Sequence, residues 1–359
     1  MKANVTGSKS GQILLQNIRK QYGTYVAVDD VNLTIAPGEF ISLLGPSGSG
    51  KTTTLMMIAG FELPNAGKVL LDGKDITKLP SHRRQLGVIF QNYALFPHMT
   101  VEENVAYPLR MRRVSKPDVA ARVRNVLEQV QLTQFASRYP HQLSGGQQQR
   151  VAIARALVFD PPVLLLDEPL GALDKKLRQH LRNEIKSLHN EVGKTMIYVT
   201  HDQDEALAMS DRVAVMSDGR IRQVAAPRDI YQKPADLFVA GFVGEANFIP
   251  FTVDAGVAVT STGEKLELST FDPPTKSATI CVRPEHLKLN PSDEKRIDGI
   301  SGHVTDLTFV GDATMVHFKS SNGLDLTSKI FNTTRDNNLS VGDACFATWA
   351  QDDITVLSH

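Results

Sequence analysis

The chain has 359 residues, 42% hydrophobic and 22% charged, an ordinary soluble composition of a length that suggests two or three domains. Lysine plus arginine and aspartate plus glutamate both total 39, which argues against a nucleic-acid binder built on bulk charge. The polar start Met1–Gln12 lacks the apolar core of a secretory signal, and no apolar run approaches the roughly 18 residues needed to span a bilayer, so any membrane role is expected to go through docking onto another chain.

In chain order, Phe40-Ile41-Ser42-Leu43-Leu44 reads as a short strand ending at a glycine-rich turn, and Thr52 to Ala59 as the helix that follows. Val119, Val123, Val126, Leu127 and Val130 recur at helical spacing, as do Leu177, Leu181, Ile185, Leu188 and Val192. Val163-Leu164-Leu165-Leu166 and Met196-Ile197-Tyr198-Val199 are short and wholly apolar, the pattern of strands covered on both faces. These features predict an α/β core with a mostly parallel sheet.

After about Gly241 helical periodicity fades. Short β-branched runs take over at Thr279–Val282, Gly302–Phe318, Leu324–Ile330 and Ala344–Thr348, punctuated by Pro273-Pro274, Asn290-Pro291 and Ser321-Asn322-Gly323. A small all-β domain, barrel or sandwich, is expected there. Residues 241–359 carry 9 basic and 16 acidic side chains, so the neutral total hides +7 on residues 1–240 against −7 beyond them. A mildly basic first part suits an anionic ligand, and equally suits two domains of differing composition. Cys281 and Cys345 form no metal-type pair and are expected to be buried free thiols.

Gly45-Pro46-Ser47-Gly48-Ser49-Gly50-Lys51-Thr52 matches the phosphate-loop pattern in full, after a strand and before a helix. The glycines let backbone N–H groups face phosphate oxygens, and the helix N-terminus adds its dipole. Lys51 brings charge to the β- and γ-phosphates of ATP, and the Thr52 hydroxyl is the expected Mg²⁺ ligand, with Thr53 beside it. Val163-Leu164-Leu165-Leu166-Asp167-Glu168-Pro169 ends an apolar strand in two carboxylates. Alone they are an ordinary solvated strand end. Beside a phosphate loop, Asp167 is expected to hold Mg²⁺ through water and Glu168 to polarise the attacking water.

Leu143-Ser144-Gly145-Gly146-Gln147 resembles the signature sequence of ABC transporter ATPases. Gln91 is similar to the Q-loop glutamine, His201 to the H-loop histidine and Leu170-Gly171-Ala172-Leu173-Asp174 to the D-loop, with Gly171 where many relatives carry serine. Tyr22 is similar to the aromatic residue that stacks on adenine, with Tyr25 close by. The resemblance is dense over residues 13 to about 240. It implies an α/β P-loop NTPase (ABC ATPase) core over 1–240, with an inserted helical subdomain at about 92–160. A smaller all-β, TOBE/OB-like domain follows over 241–359.

The resemblance implies ATP and Mg²⁺ as ligands, with Lys51, Glu168 and His201 catalytic and Thr52, Gln91 and Asp167 around the metal. Nucleotide contacts are expected from Tyr22, residues 45–53, Gln91, Ser144, Gly145, Gly146, Gln147 and Asp174. Ser144, Gly145 and Gly146 open a helix expected over Gln147–Val158, a second anion site of hydroxyl, bare amides and dipole. Read alone, Ser144 is an ordinary helix cap. In the family the signature of one subunit closes over the phosphate loop of the other, so a two-fold homodimer makes two composite sites. Asn92-Tyr93-Ala94-Leu95-Phe96-Pro97 is expected to border an apolar groove for a permease helix, or else to pack the subdomain. Two integral membrane permease subunits and a solute-binding protein are the implied partners, nucleic acid is not, and the implied location is the cytoplasmic face of a bacterial inner membrane.

The tail resembles TOBE domains of solute importers. The stretches Phe238–Asn247, Val282–Leu287 and Gln91–Thr100 are most similar to the spermidine/putrescine branch, with ferric iron, sugar or another organic solute as alternative cargo. The other class weighed, soluble ABC ATPases of DNA repair or the ribosome, usually carries coiled-coil insertions or two cassettes. This chain has one phosphate loop, one signature and no long heptad run.

Overall fold

The computed structural model describes residues 11–171, 175–254, 257–260, 263, 265–266, 277–291, 299–332 and 339–358. The chain parts into two units, Met1–Pro227 and Arg228–His359. The first runs β1 (Ile13–Tyr22), β2 (Tyr25–Ile35), β3 (Phe40–Leu44), α1 (Lys51–Ala59), β4 (Ala66–Leu71), β5 (Lys74–Asp75), β6 (Gly87–Ile89), α2 (Val101–Met111), α3 (Lys116–Gln129), α4 (Gly145–Leu157), β7 (Val163–Asp167), α5 (Lys175–Val192), β8 (Thr195–Thr200), α6 (Gln203–Met209), β9 (Arg212–Ser217) and β10 (Arg220–Ala225).

The central sheet has the order β10-β9-β3-β8-β7-β6. It is parallel from β9 to β6 and antiparallel only at the edge strand β10. Its apolar runs show no alternation because the two faces feed different cores. Phe40, Leu164, Leu166, Met196 and Tyr198 point into the core built with α2, α3, α4 and α5. Ile41, Leu43, Val163, Leu165, Ile197 and Val199 point into the core shared with α1 and a second sheet. That second sheet, β2-β1-β4-β5, is antiparallel and is not evident from the sequence. Register shifts after Leu15 and Ile18 break the alternation of β1 that would announce it.

α2, α3 and α4 pack into one core with a face of the central sheet, and each begins at a capping side chain. Thr100 and Ser144 open α2 and α4 with capping boxes, and Ser115 caps α3. α4 begins at Gly145, two residues before the expected Gln147, because Ser144 closes the cap. Val151, Ala154 and Val158 are buried and Leu157 is half-buried.

The second unit opens with α7 (Pro227–Gln232) and α8 (Leu237–Phe242). It continues through β11 (Asn247–Asp254), β12 (Val257–Thr260), β13 (Lys265–Leu266), β14 (Ser277–Val282), β15 (Lys288–Pro291), β16 (Ile300–Phe309), β17 (Ala313–Ser320), β18 (Asp325–Phe331), β19 (Ala344–Thr348) and β20 (Ile354–Ser358). The run Gly302–Phe318 is thus two strands. The sheets β13-β12-β11-β14-β20 and β15-β19-β16-β17-β18 are antiparallel. They share one core, with Ile249, Phe251 and Ile280 from the first and Ile300, Val316 and Phe318 from the second. The buried Arg283 holds α7 and α8 to this unit, donating to the carbonyls of Tyr231, Ala240 and Glu245 and lying 4.1 Å from the Tyr231 ring centre. Cys281 and Cys345 are buried free thiols.

Candidate nucleotide-hydrolysis site

The loop from Gly45 to Thr52 leaves the C-terminal end of β3 and wraps around the side chain that follows it. Lys51 is 5% exposed, and its Nζ donates to the carbonyls of Gly45 at 2.8 Å and Pro46 at 2.9 Å. Burial pushes its ammonium below the ordinary lysine range, opposed by the Glu168 and Asp167 carboxylates. At Gly45 a Cβ would collide with the Met216 carbonyl and stand 2.7 Å from Ser49 Oγ. Gly50 turns the chain into α1 at φ 97°, and a Cβ there would meet the Ala27 carbonyl at 2.5 Å. Gly48, at φ 82°, faces open space. The Ser49 hydroxyl is buried without a partner. An orphaned donor, bare glycine backbone, a buried cation and a helix N-terminus make a cradle that fits a polyphosphate.

Opposite the loop, β7 delivers two carboxylates. Asp167 is 9% exposed, and Thr52 Oγ1 donates to its Oδ1 at 3.1 Å. Burial raises the Asp167 pKa and the Thr52 hydrogen bond opposes the rise. Both side chains offer oxygens to the same space, as a hard divalent cation requires. Glu168 sits in the left-handed region at φ 42°, a conformation costing a non-glycine residue about 1–2 kcal/mol. Its N–H donates to the Val199 carbonyl at 3.0 Å, and its carbonyl accepts from Gly171 N–H at 3.2 Å. The turn aims the Glu168 carboxylate at His201, whose Nδ1 lies 3.3 Å from Glu168 Oε2. Gln91 closes the group: a Cβ at Gly171 would stand 3.6 Å from Gln91 Nε2 and 3.9 Å from Glu168 Oε2.

Lys51, Thr52, Asp167, Glu168, His201 and Gln91 therefore come together. The signature is engaged elsewhere. Ser144 Oγ accepts from Gln147 N–H at 3.4 Å, Gln147 Oε1 accepts from Ser144 N–H at 3.0 Å, and Gln148 Nε2 donates to the Pro140 and Leu143 carbonyls. Tyr22 is 45% exposed, with Lys20 Nζ 4.8 Å from its ring centre. Its strand partner Tyr25 donates from its hydroxyl to the Gly48 carbonyl at 3.2 Å, so it is Tyr25 that touches the phosphate loop. Asp174, with Ala172 and Leu173, lies outside the described residues.

Four further residues shape the site without a motif to announce them. Tyr93 is buried beside Gln91 and donates to the Pro169 carbonyl at 3.2 Å. Arg155 of α4 donates to the carbonyls of Tyr93 and Ala94, both at 2.7 Å. Those two residues are consecutive left-handed positions, φ 59° and 44°, so the arginine braces a strained turn. Asn104 of α2 pins the next part of the loop, accepting from Phe96 N–H and donating to the Phe96, Met99 and Thr100 carbonyls. Behind His201, the buried Glu205 accepts from the hydroxyls of Tyr198 at 2.8 Å and Thr200 at 2.7 Å. Of the loop expected to expose apolar groups, Ala94 and Pro97 are exposed, Leu95 and Phe96 half-buried and Tyr93 buried.

Residues 28–171 match the ABC transporter family model and residues 280–357 the TOBE domain model. The chain is 45% identical over 349 residues to "Spermidine/putrescine import ATP-binding protein PotA 2" of Pseudomonas aeruginosa, covering 94% of this chain and 96% of that one. It is 47% identical over 319 residues to "Spermidine/putrescine import ATP-binding protein PotA" of Chromobacterium violaceum, covering 86% and 88%. Among solved structures, the dimeric structure of MJ0796, a bacterial ABC transporter cassette, matches with TM-score 0.54 and 39% identity over 60% of this chain and 99% of that one. A post-hydrolysis state of MJ0796 bound to ADP and Pi matches with TM-score 0.53 and 37% identity, over the same shares.

Proposed function

Because this chain belongs to the ABC transporter ATP-binding proteins, we propose that it is the ATP-hydrolysing subunit of a polyamine importer. It works as a homodimer docked on two membrane permease subunits that are fed by a solute-binding protein. The observation that carries hydrolysis is the convergence of Glu168 and His201, 3.3 Å apart, on the space facing Lys51 and Thr52. Support for polyamine cargo comes from the names of relatives that match over most of the chain. Among the described residues no helix is long and apolar enough to cross a membrane, which fits attachment through partner chains.

Lys51 and the loop amides bind and orient the β- and γ-phosphates of ATP. Glu168 accepts a proton from the attacking water, and His201 holds the Glu168 carboxylate and the γ-phosphate in line. Thr52, Gln91 and Asp167 would hold Mg²⁺, which supplies charge neutralisation at the phosphates. Ser144 and the amides of Gly145 and Gly146 are half a phosphate site. In a two-fold dimer they cover the γ-phosphate bound by the partner. ATP binds the closed dimer better than the open one and drives closure, and loss of the γ-phosphate removes the link. Phe61, 51% exposed and 5.6 Å from the Phe90 ring, with Leu63 at 57% exposed, is the apolar surface we assign to a permease helix.

Uptake of labelled spermidine and putrescine in cells lacking this gene tests the whole reading. Wild-type protein restores uptake, and Glu168→Gln at equal abundance does not. Rescue of a different solute alone would overturn the cargo while leaving the hydrolysis chemistry standing.

A further inference from the structure

His201 lies between the end of β8 at Thr200 and the start of α6 at Gln203. Its side chain is 58% exposed and meets Glu168. A ring so exposed takes little of its placement from packing, so its reach to Glu168 depends on the backbone to either side. Both sides are fixed by buried polar groups. Thr200 is 2% exposed, and its Oγ1 accepts from the Asp202 N–H at 3.0 Å while donating to Glu205 Oε2 at 2.7 Å. That hydroxyl therefore spans His201, from the residue before it to the residue after it.

Glu205 is 4% exposed and takes a second bond on the same oxygen, from the Tyr198 hydroxyl at 2.8 Å. Its N–H donates to Asp202 Oδ1 at 3.2 Å, and Asp202 Oδ2 accepts from Arg178 Nη1 of α5 at 3.1 Å. Burying a carboxylate is costly unless it is hydrogen-bonded, and here the bonds come from the strand that ends beside His201. That strand end is itself tied to the rest of the site. Thr200 pairs with Leu44, the last residue before the phosphate loop, and the Val199 carbonyl accepts from the Glu168 N–H. The Thr200 hydroxyl is thus the joint between the strands that carry the phosphate loop and Glu168 and the helix start beyond His201.

We propose that Thr200 and Glu205 are positioning residues for ATP hydrolysis: the hydroxyl, anchored on the carboxylate, fixes the His201 backbone so that its ring meets Glu168 and the γ-phosphate. Both are buried behind His201 and act through it. Misplacing a reacting group by about 1 Å can cost about 10²-fold in rate, so a loose joint here is expected to slow the chemical step while leaving the phosphate cradle intact. The inference rests on the hydrolysis reading above and is independent of the cargo.

The test is single-turnover ATP hydrolysis by the full chain, with the ATP Kd measured alongside. Thr200→Val keeps the shape and removes the hydroxyl, and its rate should fall by about 10–10²-fold with the ATP Kd within about twofold of wild type. Thr200→Ser returns the hydroxyl and should restore the rate to within about threefold. In a His201→Ala background Thr200→Val should change the rate by less than about twofold, because no ring is left to place. A loss as large there as in wild type would mean a merely structural role and overturn the proposal. So would a wild-type rate in Thr200→Val beside a slow His201→Ala, which leaves the hydrolysis reading intact. A wild-type rate in His201→Ala overturns both. If Thr200→Val folds poorly, backbone amide NMR relaxation of the wild-type chain decides. His201 and Asp202 should show order parameters of about 0.85, as rigid as β8, and values below about 0.6 would overturn the proposal.

Discussion

The phenol of Tyr93 donates to the carbonyl of Pro169 across 3.2 Å, joining the loop that carries Gln91 to the end of the strand that carries Asp167 and Glu168. Arg155, on the helix opened by Ser144, holds the other side of the same turn. The Gln91 loop, the carboxylates and the signature helix are thus tied at one point, through a segment with two consecutive left-handed residues.

Breaking that tie should show in stability and in hydrolysis together. Tyr93→Phe leaves the Pro169 carbonyl unpaired and is expected to cost about 1 kcal/mol. Arg155→Met is expected to cost about 2–3 kcal/mol. A double-mutant cycle in urea should give a coupling of about 0.5 kcal/mol or more, since both act on one turn. Strict additivity would mean that the two contacts hold the loop independently.

Glu168→Gln keeps the shape of the site and removes the proton acceptor. Phosphate release should fall by about 10²–10⁴-fold while ATP still binds. His201→Ala should fall comparably, and the double variant little further, because the two residues act as one unit. Single-turnover hydrolysis reads all three, and a multiplicative loss in the double variant would separate their roles.

The glycines of the phosphate loop differ in what they tolerate. Gly48→Ala meets only the left-handed φ penalty, about 1–2 kcal/mol, and should fold. Gly45→Ala drives a methyl into the Met216 backbone, and should lose ATP binding together with the packing of β3 on β9. Thermal melts with and without ATP distinguish the two: Gly48→Ala keeps a nucleotide-induced shift, and Gly45→Ala has none.

Burial pushes the Glu205 carboxyl above its ordinary value of 4.5, with the Thr200 and Tyr198 hydroxyls opposing the rise. Between 4.5 and the raised folded value the folded state holds a proton that the unfolded chain has released. Stability from this group is therefore greatest at the acid end and is lost as pH rises through that window. Glu205→Gln retains an acceptor and cannot titrate. The melting temperature of wild type minus that of Glu205→Gln should fall as pH rises from about 4.5, and a flat difference would contradict the assignment.

Much of the site is legible in the sequence because its chemistry is local along the chain. A phosphate loop needs glycines and a lysine at fixed spacing after a strand, and Val163 to Glu168 needs only an apolar strand that ends in carboxylates. The parallel sheet is legible from β7 and β8 because both faces are covered. Tyr93–Pro169 and Arg155–Ala94 are not legible, since those pairs are far apart in sequence and made with backbone carbonyls, which leave no residue-type signature. The sheet holding β1 is hidden by its bulges. Arg84 is nearly fully buried, donating to the Met57, Ile58, Leu79 and Thr77 carbonyls, yet it reads in sequence as one more surface charge.

Mixed dimers test directly whether each ATP site is shared between two subunits. Lys51→Ala disables a phosphate loop and Ser144→Arg a signature, so each homodimer should retain no ATP. If the sites are composite, a mixed dimer of the two variants pairs one intact phosphate loop with one intact signature, and its second site carries both defects. Nucleotide retained per dimer after rapid desalting should then return to half the level of a Glu168→Gln homodimer, with all subunits also carrying Glu168→Gln to block turnover. No retention in the mixed dimer would mean that each subunit completes its own site, and would contradict the account.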